Sequence, residues 1–155
     1  VRGILPLFLK NNPKKVVVIN RTENNLQALS KTFDEEFFEY FTLNDFNKKF
    51  KEYDHDKAGF TNFDLIINAT SASISNHGVV IPKKLFFKCP LVVDLFYSPD
   101  PTAFLNLAAS SGAKKTIDGL GMLVEQAAES FYIWTNNRPR TEEVMNQIRN
   151  DVGYK

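Results

Sequence analysis

The run Val16-Val17-Val18-Ile19-Asn20-Arg21-Thr22-Glu23 decides the fold. Four unbroken apolar residues predict a strand buried on both faces, since a half-exposed strand would alternate polar and apolar positions. Thr22 then suits an N-cap, and Glu23 suits the positive end of a helix running to Phe33. The same strand-then-turn pattern recurs at Asp64–Ser71 and Leu91–Tyr97, and a shorter fourth strand is predicted over Ala113–Ile117. Phe37–Phe41 alternates loosely and reads as a further strand. Between them lie predicted helices. Arg2–Leu9 carries Pro6 near its first turn and is stopped by Asn11-Asn12-Pro13. Leu43–Tyr53 is amphipathic. Thr102 caps a helix that reaches Ser111 and closes at Gly112. Leu120–Thr135 and Thr141–Val152 follow, the last with Thr141 as cap and Glu142 and Glu143 in its first turn. Asp54–Gly59 and Ser73–Gly78 read as loops. Strands alternating with helices predict an α/β, doubly wound parallel sheet of Rossmann-like form. No repeat, low-complexity tract or internal boundary interrupts the 155 residues, so one domain is expected.

Composition narrows the function. A net charge of +1 gives no global attraction to nucleic acid or membrane. No apolar run approaches about 18 residues, so no membrane span is expected. The single Cys89 excludes an internal disulfide and fits a reducing, cytoplasmic compartment. Its place before Pro90, at the head of an apolar run, argues against reactive-thiol chemistry. His55 and His77 stand alone, without further ligands at metal-site spacing, so no metal is expected. No Ser/His/Asp or Cys/His nucleophile set occurs.

In doubly wound sheets ligands bind at the carboxyl ends of the strands. Four features fall there: Asn20-Arg21-Thr22, Asn68-Ala69-Thr70-Ser71, Asp94-Leu95-Phe96-Tyr97 and Asp118-Gly119-Leu120-Gly121. An acidic residue at the first of these would hold the ribose hydroxyls of NAD, whereas Arg21 suits the 2′-phosphate of NADP. Taken alone, Arg21 also reads as a solvated loop cation. Asn68 and Thr70 either contact ribose or substrate or satisfy the strand's terminal backbone groups. Tyr97 either aims its phenol at a polar substrate or covers a sheet edge. In the last helix-opening block, Gly119, Met122 and Gln126 share one arc. Leu120, Leu123, Val124, Ala127, Phe131 and Trp134 share the opposite arc, the expected core stripe. A bare backbone, a thioether and an amide could lie against a flat ring and bond a hydroxyl; an ordinary packed helix would show the same spacing.

Taken in order, these blocks resemble the shikimate dehydrogenase family over essentially the whole chain. Arg2-Gly3-Ile4, Asn20-Arg21-Thr22, Asn68–Ser71, Asp94–Tyr97 and Pro101-Thr102-Ala103-Phe104-Leu105 match in sequence, and Asp118–Ala128 is close to a signature. The resemblance implies an NADP-dependent oxidoreductase of aromatic amino-acid biosynthesis that reversibly reduces 3-dehydroshikimate to shikimate, a monomer or homodimer in the parent enzyme. It implies that Asn20, Arg21 and Thr22 bind the adenosine ribose and 2′-phosphate. Thr70 joins the cofactor set, and Leu95, often Met in relatives, lies near the nicotinamide. Gly119 would offer its carbonyl to the carboxamide, with Met122 beside the ring, while Tyr97 and Gln126 would bond the substrate.

Two departures accompany the match. Where relatives carry a second cation after the Asn-Arg-Thr block, this chain has Asn25, so a smaller preference for NADP over NAD is expected. The family's first strand and Gly-rich phosphate loop belong just before Val1, and its substrate domain, with a catalytic Lys/Asp pair, lies further upstream. The chain is therefore expected to be a partial cofactor-binding domain with C-terminal helices, carrying no catalytic residue itself and turning over poorly alone. A broader quinate/shikimate dehydrogenase and a non-catalytic nucleotide-binding fragment are the alternatives. The Gly119–Gln126 block argues against the related domains of glutamyl-tRNA reductase and methylenetetrahydrofolate dehydrogenase.

Overall fold

Apolar runs that end in Asn or Asp build parallel ladders here, and the helices between them supply the cover. The computed structural model describes residues 3–34, 36–52, 62–71 and 80–154. Arg2, the end of the helix at Tyr53, and the expected loops Asp54–Gly59 and Ser73–Gly78 with His55 and His77 lie outside the described residues. The chain divides into two compact units, Val1–Phe60 and Thr61–Lys155.

The first unit holds α1 (Leu5–Lys10), β1 (Val16–Asn20), α2 (Glu23–Ser30), β2 (Phe38–Thr42) and α3 (Leu43–Glu52). Pro6 sits in the first turn of α1, where its missing N–H has no intrahelical partner to lose. β1 and β2 pair in parallel, from Val16 opposite Phe38 to Asn20 opposite Thr42. Leu5, Val18, Leu26, Leu29, Phe33 and Phe38 form the core. Within β1 only Val18 is fully buried, and the other four residues are half-buried. A ladder of two strands cannot give its outer positions the cover of a wide sheet. Tyr40 donates to Phe33 O at 2.6 Å and ties β2 to the chain leaving α2.

The second unit holds β3 (Leu65–Asn68), β4 (Leu91–Asp94), α4 (Ala103–Ser110), β5 (Thr116–Ile117), α5 (Leu120–Thr135) and α6 (Thr141–Val152). Its three strands run parallel in the order β3-β4-β5. Phe86, Cys89, Val92, Phe104, Leu105 and Ala108 make its core. A 3-10 turn at Lys83–Phe86, with no periodicity to betray it in sequence, buries Leu85 and drops Phe86 into that core. Phe86 meets Phe104 edge-on, with ring centroids 5.6 Å apart.

The α/β alternation and parallel pairing are as expected, with three local corrections. The ladders stop at Asn68 and Asp94, short of Ser71 and Tyr97. Thr22 occupies the N-cap of α2 without a side-chain capping bond, and its own N–H donates to Asn20 Oδ1. Thr141 is the first helical residue of α6, and Arg140 holds the cap position, paired with Glu143 at 3.0 Å. The expected α5 stripe is also only partly buried: Leu120 and Val124 are covered, while Ala127 is exposed and its neighbour Ala128 is buried instead. Leu123, Phe131 and Trp134 are 39%, 46% and 80% exposed. α6, which has no fully buried residue, lies along α5 and leaves an apolar groove that includes Leu123, Phe131, Val144 and Ile148. Among the described residues no helix is long and apolar enough to cross a membrane.

Thr102 fixes α4 to β4 by donating to Asp94 Oδ2 at 2.7 Å and accepting from Leu105 N–H at 3.2 Å. Thr102→Val removes the cap and leaves a buried carboxylate oxygen without that donor. The expected loss is about 2–3 kcal/mol, measured by urea unfolding; an unchanged midpoint would contradict this role.

Candidate functional site at the strand ends

Among the described residues the same bond closes four of five strand ends. At each, the side chain of a terminal Asn or Asp accepts the backbone N–H two residues on, replacing the next ladder bond with a turn. Asn20 Oδ1 takes Thr22 N–H at 3.0 Å, and Asn68 Oδ1 takes Thr70 N–H at 3.1 Å. Asp94 Oδ1 takes Phe96 N–H at 3.2 Å, and Asp118 Oδ1 takes Leu120 N–H at 3.3 Å. These turns place every sequence-selected block at a carboxyl end.

In the first unit, Arg21, Thr22 and Asn25 are exposed and Asn20 is half-buried. The turn holding Asn20 and Thr22 leaves Arg21 on the surface at the end of β1, with Asn25 in the first turn of α2. The nearest acid in sequence is Glu23, the first residue of that helix.

In the second unit, the centre of the edge is Asp94, whose exposure is 0%. Besides Phe96 N–H and Thr102 Oγ1 it accepts from Asn68 Nδ2 at 3.2 Å, across the ladder from its pairing partner. Thr70, exposed, donates to Asn68 Oδ1 at 2.7 Å. Leu95 follows, its N–H bonded to Asn68 O at 3.0 Å. Tyr97 is 44% exposed, with Phe96 stacked beside it at 6.1 Å between centroids.

Gly119 is pressed on Leu95. A Cβ built on Gly119 would clash with Leu95 O, and Gly119 N–H donates to Phe96 O at 3.1 Å. The backbone of Gly119 is open to any residue (φ −81°, ψ 1°), so contact rather than conformation demands glycine there. Its carbonyl accepts from Leu123 N–H at 3.0 Å, the first helical bond of α5. Met122, 43% exposed, and Gln126, also exposed, stand on the following turns. The structure thus brings two adjacent strand ends together, Leu95 and Phe96 beyond β4 and Gly119 beyond β5.

Two features escaped the sequence. Asp94 was visible only as part of a block, not as the buried acceptor that organises it. Tyr154, beyond α6, donates to Asp118 Oδ2 at 2.8 Å across 36 residues, a pairing without a local signal. Burial and the adjacent Asp118 carboxylate push the Tyr154 phenol well above its ordinary value. Burial likewise raises the Cys89 thiol, which keeps it protonated and unreactive. Among the described residues no three His, Cys, Asp or Glu side chains cluster as a metal site.

Gly119→Ala should cost on the order of 3 kcal/mol, since only backbone movement relieves the clash with Leu95 O; a variant with native stability in chemical unfolding would refute the contact. For Tyr154 the native phenol holds its proton more tightly than the unfolded one. Its contribution is therefore full below about pH 10 and is lost as the pH climbs from there toward the raised native value. Ultraviolet titration should show a late-ionising tyrosine fraction that shrinks in Tyr154→Phe.

Residues 119–149 match the family model for the shikimate 5′-dehydrogenase C-terminal domain. Shikimate dehydrogenase (NADP(+)) of Cellvibrio japonicus is 37% identical over 155 residues, covering 100% of this chain and 52% of the relative. The crystal structure of an Ael1 enzyme from Pseudomonas putida superposes with a TM-score of 0.79 at 34% identity, over 94% of this chain and 49% of that one. Shikimate 5-dehydrogenase of Thermus thermophilus, solved in complex with shikimate, gives 0.66 at 26% identity, over 96% of this chain and 49% of that one. The chain spans about half the length of the curated relatives it matches. α5 and most of α6 lie inside that family model, and the whole chain is similar to one half of those shikimate dehydrogenases.

Proposed function

We propose that this chain supplies the NADP-binding surface and part of the substrate wall for the reversible reduction of 3-dehydroshikimate to shikimate. The observation that carries the reading is the Leu95–Gly119 contact. It fixes the end of β4 against the start of α5 so closely that only glycine fits, and leaves Met122 and Gln126 exposed beside it. Leu95, Gly119 and Met122 then form the nicotinamide face, with Thr70 joining the cofactor contacts and Tyr97 and Gln126 bonding the substrate hydroxyls.

At the end of β1, Asn20, Arg21 and Thr22 take the adenosine ribose and its 2′-phosphate. The residues fit that group: the Asn20–Thr22 turn is closed by its own hydrogen bond and presents an exposed planar cation with no acid at the ribose position. Asn25 adds no second charge. The bound cofactor supplies the hydride; this chain's residues orient its ring and hold the substrate. The Gly119 carbonyl keeps one lone pair beyond its helical bond for a carboxamide N–H. The proton transfer belongs to the Lys/Asp pair of the family's substrate domain, so turnover by this chain alone is expected to be negligible. A broader quinate/shikimate specificity would be set mostly in that domain.

Calorimetric titration with NADP+ and NAD+ tests the reading. NADP+ should bind more tightly, by a modest factor, and Arg21→Ala should erase most of that difference, a loss of roughly tenfold for about 1.4 kcal/mol. Asn25→Lys should widen it. Tighter binding of NAD+ by the unaltered chain would sink the assignment.

A further inference from the structure

Gly153 and Tyr154 close a hairpin onto the Gly119 turn. α5 has 16 residues and α6 has 12, or about 24 and 18 Å at about 1.5 Å per residue. Met145 Sδ, in the first half of α6, comes 4.0 Å from where a Cβ on Gly121 would lie, at the start of α5. Gly153, in the left-handed conformation (φ 74°, ψ 39°), ends α6 and reverses the chain. Tyr154 N–H then bonds Arg149 O at 2.9 Å, and the Tyr154 hydroxyl reaches Asp118 Oδ2 at 2.8 Å.

Asp118 thus spends its two oxygens on two tasks. Oδ1 accepts Leu120 N–H, the start of α5, while Oδ2 accepts Tyr154. Without the second bond the carboxyl group is free to rotate about its Cα–Cβ and Cβ–Cγ bonds, and the 3.3 Å bond to Leu120 loses its geometric support. The next residue is Gly119, which has no side chain of its own to hold the turn. Tyr97 also lies within electrostatic reach of the Tyr154 phenol, so the latch adjoins a residue assigned to the substrate.

We propose that Tyr154 is a positioning residue: by donating to Asp118 it holds the Asp118–Gly121 turn in the geometry that presents Gly119 and Met122 to the cofactor. The functional half of this statement rests on the reading above; the latch itself does not.

Amide hydrogen exchange on the full chain separates the two. In Tyr154→Phe, exchange at Leu120 and Leu123 should quicken about tenfold, while Val92 and Val93 in β4 keep their protection. Asp118→Ala should reproduce the effect, and the double variant should be no faster than the quicker single one. Asp118→Asn, whose Oδ1 can still accept Leu120 N–H while its Nδ2 donates to the Tyr154 hydroxyl oxygen, should restore most of the protection. Unchanged exchange in Tyr154→Phe overturns the latch. Acceleration shared equally with β4 also overturns it, since Tyr154 would then be a general stabiliser. NADP+ titration of the same variants should show binding weakened three- to tenfold in Tyr154→Phe and near normal in Asp118→Asn. If exchange responds but the unaltered chain binds no NADP+, the latch stands and the functional reading fails; if binding is intact in Tyr154→Phe despite faster exchange, the positioning role fails and the functional reading stands.

Discussion

The carboxyl edge of the second unit depends on one buried acid. Asp94 has no exposed surface, and its two oxygens receive Asn68 Nδ2, Phe96 N–H and Thr102 Oγ1. A buried carboxylate is tolerable only when donors replace its lost water. Each of these donors comes from a different piece of the fold: the end of β3, the turn after β4 and the cap of α4. Satisfying one group therefore fixes three elements. The course of Leu95 and Phe96 follows, and with it the contact on Gly119.

The bonds at the other strand ends repeat this logic at lower cost. Asn20, Asn68 and Asp118 are each placed so that the side chain, rather than a neighbouring strand, takes the next donor. A parallel strand must stop where its loop begins, and an Asx turn stops it within two residues. Polar, small-residue turns are what remain at the carboxyl end, where a ligand can approach backbone and short side chains. Stopping the strands and shaping the ligand edge are thus one operation.

This is why strands and blocks were legible in the sequence while their connections were not. Val16–Ile19 announces a strand through its own residues, and Thr102 announces a cap through its position before an apolar run. Asp94 and Asn68 are 26 residues apart, and Tyr154 and Asp118 are 36 apart; no local pattern reports such pairs. The strand ends were placed too late because apolarity continues into Leu95 and Phe96, whereas the hydrogen bond that ends β4 comes from the side chain of Asp94. The stripe on α5 failed for a different reason. Periodicity reports which residues share a face, not whether a partner covers it, and α6 covers only part of that face.

The two halves of α5 consequently answer to different constraints. Its first turns are held from three sides: Leu120 is fully buried, Gly119 is pressed on Leu95, and Asp118 is bonded to both Leu120 and Tyr154. Its last turns carry Ile133 and Trp134 at 71% and 80% exposure. A helix fixed at its N-terminal end transmits that position along a rigid rod, because each further residue adds a backbone bond to the one before. Met122 and Gln126, one and two turns on, inherit their placement from the Gly119 contact rather than from packing of their own side chains, which are exposed. A mutation that loosens the turn should therefore displace both together, although neither touches the bond that was lost.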